Sequence, residues 1–410
     1  MMHENIRING DRLCTRLDRL AQIGRIDGDG VCRLALSAED KQGRELVVRW
    51  MHDLGLSVKI DAIGNVIGVR AGREDGPPVM TGSHIDTVRT GGRYDGALGV
   101  LAGLEVIATL NDAEISTKRP VAVAFFTNEE GSRFQPDMFG SLVYTGALAL
   151  DEALATRSID GPTAGDELRR IGYAGREPVG KPYAHVYVEL HVEQGPVLDA
   201  EGFRVGVVEG VQGISWSEFT LIGQSNHAGT TPMRMRKDAG YVASEIAVFA
   251  RKLAKELSGH QVATVGVITL APNLINVVPN RAVITVDLRN TDELRLQEAE
   301  RRLFTFANDT ATAEGVDLTR RTLARFLPVA FAPPLVNRVE AIAENLGLST
   351  KRLPSGAGHD AQIMAAVCPA CMIFVPSVGG ISHNVNEYTA PADLAAGANV
   401  LLRLMLELAE

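Results

Sequence analysis

Five residues of metal-binding type, His84, Asp95, Glu130, His191 and His383, are spread over most of a 410-residue chain, in TGSHIDTV, GGRYDGALGV, FFTNEEGSRF, VELHVEQGP and GGISHNVNEY. Each motif alone has a plainer explanation. An Asp in a glycine-bracketed loop usually caps a helix or forms a turn, a Glu pair usually sits in a solvated loop, and a single His is usually structural. Together the five supply the imidazole and carboxylate mixture that holds two divalent cations rather than one. Brought to one place, they would activate water with a metal pair.

The spacing within each motif suggests a division of labour. In SHIDT an extended backbone puts His84 and Asp86 on one face, so the Asp86 carboxylate can accept a hydrogen bond from the imidazole, fixing its tautomer and raising its basicity. Asp95 can offer one oxygen to each of two ions, holding them roughly 3.5 to 4 Å apart as two-metal hydrolysis requires. Glu129 and Glu130 end an apolar strand, where adjacent carboxylates are costly unless a cation compensates. Neighbouring residues point different ways, so one Glu can bind the metal while the other takes a proton from water.

His191 and Glu193 lie on a strand broken by Gln194-Gly195-Pro196. Two further histidines, out of only nine, also sit in glycine-rich polar loops: His227 in SNHAGTTPM and His359 in SGAGHDAQ. Arg289 ends the strand AVITVDLR, with Asn276 in the loop NLINVVPN. A guanidinium grips a carboxylate in two places and an amide can hold a carbonyl oxygen, so this pair suits capture of a carboxylated substrate.

The elements that must position these residues are an alternation of strand and helix. Residues 44 to 56 suit an amphipathic helix, and SVKIDAIGNVIGVR two short strands about the turn 62–65. PPVMTGSH, VAVAFFTNEE and YVELHVEQG read as buried strands and GVLAGLEVIATL as a buried helix, which predicts a mostly parallel sheet with helices on both faces. The pattern changes near Gly213. ISWSEFTLIG, a helix over 238–257, VATVGVITL, AVITVDLRN and a helix over 291–313 make a β-α-β-β-α-β, ferredoxin-like α+β unit of about 115 residues. Alternation resumes after FLPVAFAPP and ends in a helix over 391–408. The chain is therefore an α/β protein whose catalytic domain, 1–212 and 328–410, is interrupted by an inserted domain, 213–327. Four ligands precede the insertion and His383 follows it, in the segment that must return to the same sheet, and strand carboxyl ends are where open α/β sheets build sites.

Composition narrows the classes. With 45% hydrophobic residues and 22% charged the chain can bury a large core. A net charge of −9 opposes binding to nucleic acid. No run approaches the roughly 18 apolar residues of a spanning helix, and MMHENIRINGDRL lacks the features of a secretion signal, so a cytoplasmic, non-membrane protein is expected. Cys14, Cys32, Cys368 and Cys371 are then thiols. Cys368 and Cys371 form a CxxC, but AAVCPACMIFVP is apolar on both sides and lacks a second CxxC or a His partner, which describes a buried strand with small hydrophobic cysteines.

With His84, Asp86, Asp95, Glu129 and Glu130 in place, and with FTNEEGSRF, HVEQGPVL, HAGTTPM, SGAGHDA and SHN, the chain from about Arg44 to its end resembles the amidase, hydantoinase/carbamoylase family, within the wider dinuclear zinc aminoacylase and peptidase superfamily. The resemblance implies one metal on His84, His191 and bridging Asp95, and the other on Glu130, His383 and the same Asp95. It implies Glu129 as general base, Asp86 behind His84, and substrate contacts at Gln194, His227, Asn276, Arg289 and His359, with Arg289 on the carboxylate. It further implies a cis peptide after Asp95, a homodimer through the inserted lid domain, and His227 reaching the partner's active site. None of these positions departs from the family pattern.

The implied activity is hydrolysis of the carbamoyl C–N bond of N-carbamoyl-L-amino acids or beta-ureido acids, small-molecule substrates, giving amino acid, carbon dioxide and ammonia. The alternatives are an allantoate amidohydrolase and, in another class, a non-catalytic small-molecule binding protein on the same fold. The cofactor is two divalent ions, zinc first, since this ligand set also accepts manganese, cobalt or nickel.

Overall fold

A computed structural model describes residues 6–410 and divides the chain into two compact units, Met1–Glu209 with Phe331–Glu410, and Gly210–Ala330. In chain order the strands are β1 (Ser57–Ile60), β2 (Val66–Arg70), β3 (Val79–His84), β4 (Val121–Phe126), β5 (Val186–Val192), β6 (Val205–Val211), β7 (Gly213–Ile222), β8 (Val262–Ala271), β9 (Arg281–Asn290), β10 (Asp317–Phe326), β11 (Val329–Ala330), β12 (Thr350–Ser355) and β13 (Ala370–Val375).

The large sheet runs β1-β2-β4-β3-β5-β13-β6, with β12 also paired to β6. Its centre, β4-β3-β5-β13, is parallel, and β2 and β6 join antiparallel on its flanks. Every residue of β3, β4, β5 and β13 is buried, which is why these strands read as unbroken apolar runs. The helix Ala97–Asp112 packs Gly99 and Gly103 close to β3 and β5. The helix Pro391–Ala409 lays Gly397 against Leu190 and Val375.

The smaller unit is an antiparallel sheet in the order β10-β7-β9-β8. Its two helices, Ala239–Leu257 and Glu293–Glu314, bury Val242, Ile246, Leu253, Leu296 and Leu303 against Phe219, Ile284 and Leu288. The chain order β7, helix, β8, β9, helix, β10 is the β-α-β-β-α-β unit expected. The short β11 pairs with Gly210 and Val211, so the chain enters and leaves this unit side by side.

The CxxC falls at the start of β13, with Cys371 buried in the strand and Cys368 half-buried before it; all four cysteines are free thiols. No helix among the described residues is long and apolar enough to cross a membrane.

Candidate dinuclear metal centre

Parallel pairing of β4, β3, β5 and β13 brings their carboxyl ends together. His84 is the last residue of β3, Glu129 and Glu130 follow β4, His191 lies near the end of β5, and His383 follows β13. Asp95 enters from the turn that starts the helix Ala97–Asp112. That turn requires glycine: Gly96 has φ +64, and a Cβ there would lie 2.3 Å from the His84 ring.

Asp95 is the hub. Its Oδ1 lies 3.6 Å from His84 Nε2 and 3.2 Å from His191 Nε2, while its Oδ2 lies 3.4 Å from His383 Nε2. His383 Nε2 is in turn 3.3 Å from Glu130 Oε2. Two groups result, His84, Asp95, His191 and Asp95, Glu130, His383, each with ligand atoms within 4.8 Å of one another. Donors about 2.0 to 2.1 Å from a tetrahedral ion stand about 3.3 Å apart, so these separations are those of coordination edges.

Electrostatics argue the same way. Burial, followed by the charges of Asp360, Glu130 and Asp95, pushes the Glu129 carboxyl well above its usual range, and burial with Asp95 and Asp86 does the same to Glu130. Burial holds His84 down at about 4. For His191 burial acts downward too, but the hydrogen bond and charge of Asp95 prevail and raise it to about 9. Several buried carboxyls that raise one another, beside imidazoles that face them, form a donor set that fits divalent cations.

Backbone and neighbouring side chains hold these donors in place. His191 Nδ1 is 2.9 Å from the Val192 carbonyl, and His84 Nδ1 is 2.9 Å from the carbonyl of Asp86. Nδ1 donating to a carbonyl leaves Nε2 as the ligand nitrogen. The buried Arg33 donates to the carbonyls of Ile85, Leu20 and Ile23, clamping the segment just after His84.

Two expectations are corrected. The Asp86 carboxylate does not meet His84; it accepts from the backbone N–H groups of Glu129 and Glu130 at 3.3 and 3.4 Å. β3 stops at His84, so the alternation that would put residues 84 and 86 on one face is lost in the turn. Burial and the charge of Asp40 push the Asp86 carboxyl up to about 7. The Asp95–Gly96 peptide is not cis; among the described residues only Gln135–Pro136 and Ala271–Pro272 are. Glycine's positive φ makes the turn instead.

A cavity of about 110 Å3 is lined by Asp95, Glu129, Glu130, His191, Gln194, His359 and His383. Gln194 Nε2 donates to Asp95 Oδ2 at 2.9 Å. His359 is buried, with Nε2 2.8 Å from Ser355 Oγ, its ring edge-on to His191 at 4.6 Å, and Nδ1 without a partner. His227, Asn276 and Arg289 belong to the other unit. There Ala228 donates to the Asn276 carbonyl and His227 bridges Val277, so the two loops run side by side. His227 Nδ1 accepts from the N–H of Gly229 and Thr230, which leaves Nε2 as the nitrogen that can donate. Arg289 contacts Asp287 and stacks near Trp216.

Sequence reasoning missed Glu387, Glu189 and Asp137. Glu387 accepts from the N–H of Tyr94 and Asp95 and from Ser382 Oγ, seating the Asp95 loop. Its signal lay in the NEY that follows His383, but a Cβ on Gly92 would meet its carboxyl at 2.2 Å, a contact visible only in three dimensions. Glu189 accepts from Ser83 Oγ and Ala361 N–H beneath the centre. Asp137 lines the cavity from a loop with no motif of its own.

An α/β unit with paired His/carboxylate groups at the ends of parallel strands defines a hydrolase with candidate metal ligands. Residues 80–407 match the model of peptidase family M20/M25/M40, and the chain belongs to that family. It is 44% identical over 408 residues to an N-carbamoyl-L-amino-acid amidohydrolase of Rhizobium meliloti, covering 99% of this chain and 98% of that one. It is 34% identical over 409 residues to a ureidoglycolate hydrolase of Arabidopsis thaliana, covering 97% and 86%. The crystal structure of an amidase of the hydantoinase/carbamoylase family from Burkholderia multivorans superposes with a TM-score of 0.97 at 45% identity, covering 98% of each chain.

Proposed function

We propose that the chain hydrolyses the carbamoyl C–N bond of N-carbamoyl-L-amino acids, consuming one water and releasing amino acid, carbon dioxide and ammonia. The observation that carries this reading is the shared Asp95, one oxygen toward each of two His/carboxylate groups, on the floor of a cavity that Glu129 also lines. The 44% identity to the Rhizobium meliloti enzyme supports the substrate class.

His84, Asp95 and His191 would hold one divalent ion, and Asp95, Glu130 and His383 the other, with zinc the first choice and manganese, cobalt or nickel acceptable to the same donors. Such a pair supplies Lewis acidity to water and to the carbamoyl oxygen. Glu129, left uncoordinated, takes the proton of the attacking water and returns it to the leaving nitrogen. Asp86 holds the Glu129 and Glu130 backbone, so it positions both carboxylates. His359, with Nδ1 unpartnered, and Gln194 would contact and orient the ureido group. His227, donating from Nε2, would stabilise the oxyanion, with Asn276 on a carbonyl oxygen and Arg289 on the substrate carboxylate. The smaller unit would serve as lid and homodimer interface, delivering His227 to the partner's site.

The test strips metal with a chelator, reloads defined ions and follows ammonia from N-carbamoyl amino acids, beta-ureidopropionate, allantoate and ureidoglycolate. Metal-dependent release from N-carbamoyl-L-amino acids supports the reading. Faster release from allantoate or ureidoglycolate replaces the substrate. A metal-free protein that binds a ureido acid unchanged is a binding module instead.

A further inference from the structure

The metal-binding residues and Glu129 account for the floor of the cavity but not for its rim. His84 and His191 are 1% exposed, Asp95 4% and Glu129 5%, so the scissile carbamoyl group must sit deep. Asp137, by contrast, is exposed while still lining the same cavity. It follows the exposed Gln135 and precedes the buried Met138, whose backbone takes a left-handed φ of +54. Met138 N–H donates to the Glu129 carbonyl and Phe139 N–H to that of Asn128, so the loop is tied to the segment that carries the base.

Among the described residues no cation faces Asp137, whereas each carboxylate on the floor faces an imidazole or belongs to a candidate metal group. Met138, Ala357 and Gly358 line the same cavity and offer hydrocarbon and backbone rather than charge. The Met138 Cε methyl approaches Gly358 closely enough that a Cβ there would meet it at 3.0 Å. Apolar lining in a cavity that also holds a carboxylate with no cationic partner complements a side chain with an aliphatic stem and a cationic tip. The same carboxylate repels an acidic side chain, and repulsion is as much a part of selectivity as attraction.

Resting on the ureido-acid reading above, we infer that Asp137 is a specificity-determining residue that selects N-carbamoyl-L-amino acids with basic side chains over those with acidic ones. It acts on the far end of the substrate and takes no part in bond cleavage.

The experiment measures kcat/KM for N-carbamoyl-L-lysine, N-carbamoyl-L-norleucine and N-carbamoyl-L-glutamate with the metal-loaded wild-type protein, Asp137→Asn and Asp137→Lys. The norleucine derivative reports any loss common to all substrates, and metal content reports damage to the floor. Normalised in this way, the lysine-to-glutamate ratio should fall about five- to tenfold in Asp137→Asn, the combined effect of one attraction and one repulsion of partly solvated charges, and further in Asp137→Lys. A ratio that stays within about twofold of wild type in both variants, or that rises, overturns the assignment, since the lost attraction and the lost repulsion move this ratio in the same direction. If the wild-type protein hydrolyses norleucine's derivative but the ratio does not move, only Asp137 is misassigned. If it hydrolyses none of the three, the ureido-acid reading fails and this inference fails with it.

Discussion

The residues assigned to chemistry fall into two regions that are built differently. Around Asp95 the side chains other than the exposed His383 are buried or nearly so and are held by neighbours: His84 by the Asp86 carbonyl, His191 by that of Val192, the Asp95 loop by Glu387. In the smaller unit His227 and Asn276 are exposed, and the contacts that shape them come from their own loops. The first region is preorganised by packing, so its electrostatics are fixed before substrate arrives. The second is exposed, and only its own loops hold it in shape. Variants of the first should therefore disturb metal or chemistry, and variants of the second should disturb turnover or binding while metal and fold stay intact.

The largest effect is expected at the floor. Glu129→Gln removes the proton acceptor but keeps shape and hydrogen-bonding capacity, so kcat should drop by about 10^2 to 10^4. Metal content, read by elemental analysis, should stay at the wild-type level. An active Glu129→Gln protein would remove the general base from the mechanism.

The exposed region gives the next effect. His227→Ala should cost about 10^2 to 10^3 in kcat, the range for loss of one oxyanion donor, with no change in metal content or thermal midpoint. Mixing Glu129→Gln subunits with His227→Ala subunits sharpens the contrast, because a hybrid in which His227 acts across a dimer has one intact site. Recovered activity in purified hybrids is the expected outcome; none would return His227 to its own subunit or to the surface.

Arg289→Lys should be milder still. The ammonium keeps the charge and loses the two-pronged grip, so KM for a carboxylated substrate should rise about tenfold, consistent with a charged hydrogen bond. A kcat effect without a KM effect would argue that Arg289 serves the Asp287 contact rather than the substrate.

The two regions also differed in how far the sequence revealed them. The floor was legible because each ligand ends or follows a buried strand, and a parallel sheet brings such ends together whatever the intervening length. The order of elements in the smaller unit was legible through its alternating strands, as in β9, where buried residues alternate with half-buried ones. What failed was local direction. Asp86 was expected on the His84 face, yet the strand ends between them, and the backbone after a strand end is set by contacts with other segments, here Arg33 and the Glu129–Glu130 amides. The turn at Asp95–Gly96 failed for a related reason, since a positive φ and a cis bond are alternative ways to turn a chain and glycine permits the first. Asp137 and Glu387 carried no motif because their roles depend on which cavity or loop they meet.

The smallest effect tests whether the smaller unit's core can be perturbed without reaching the metal floor. Ile246 is fully buried in a cluster drawn entirely from residues 219 to 316, with Phe219, Ile284 and Leu303 among its neighbours in that core. Ile246→Val deletes one methylene, which should destabilise by about 0.5 to 1.5 kcal/mol through lost transfer energy and the small cavity left behind. Urea denaturation followed by tryptophan fluorescence reads this through Trp216 on β7, the tryptophan within that unit, while metal content is measured on the same samples. The midpoint reported by Trp216 should shift with metal content unchanged, because the ligands are held by hydrogen bonds within the larger unit. Loss of metal from so small a core change would mean that the two regions are not independently built, and the contrast between a preorganised floor and an exposed, loop-held second region would have to be abandoned.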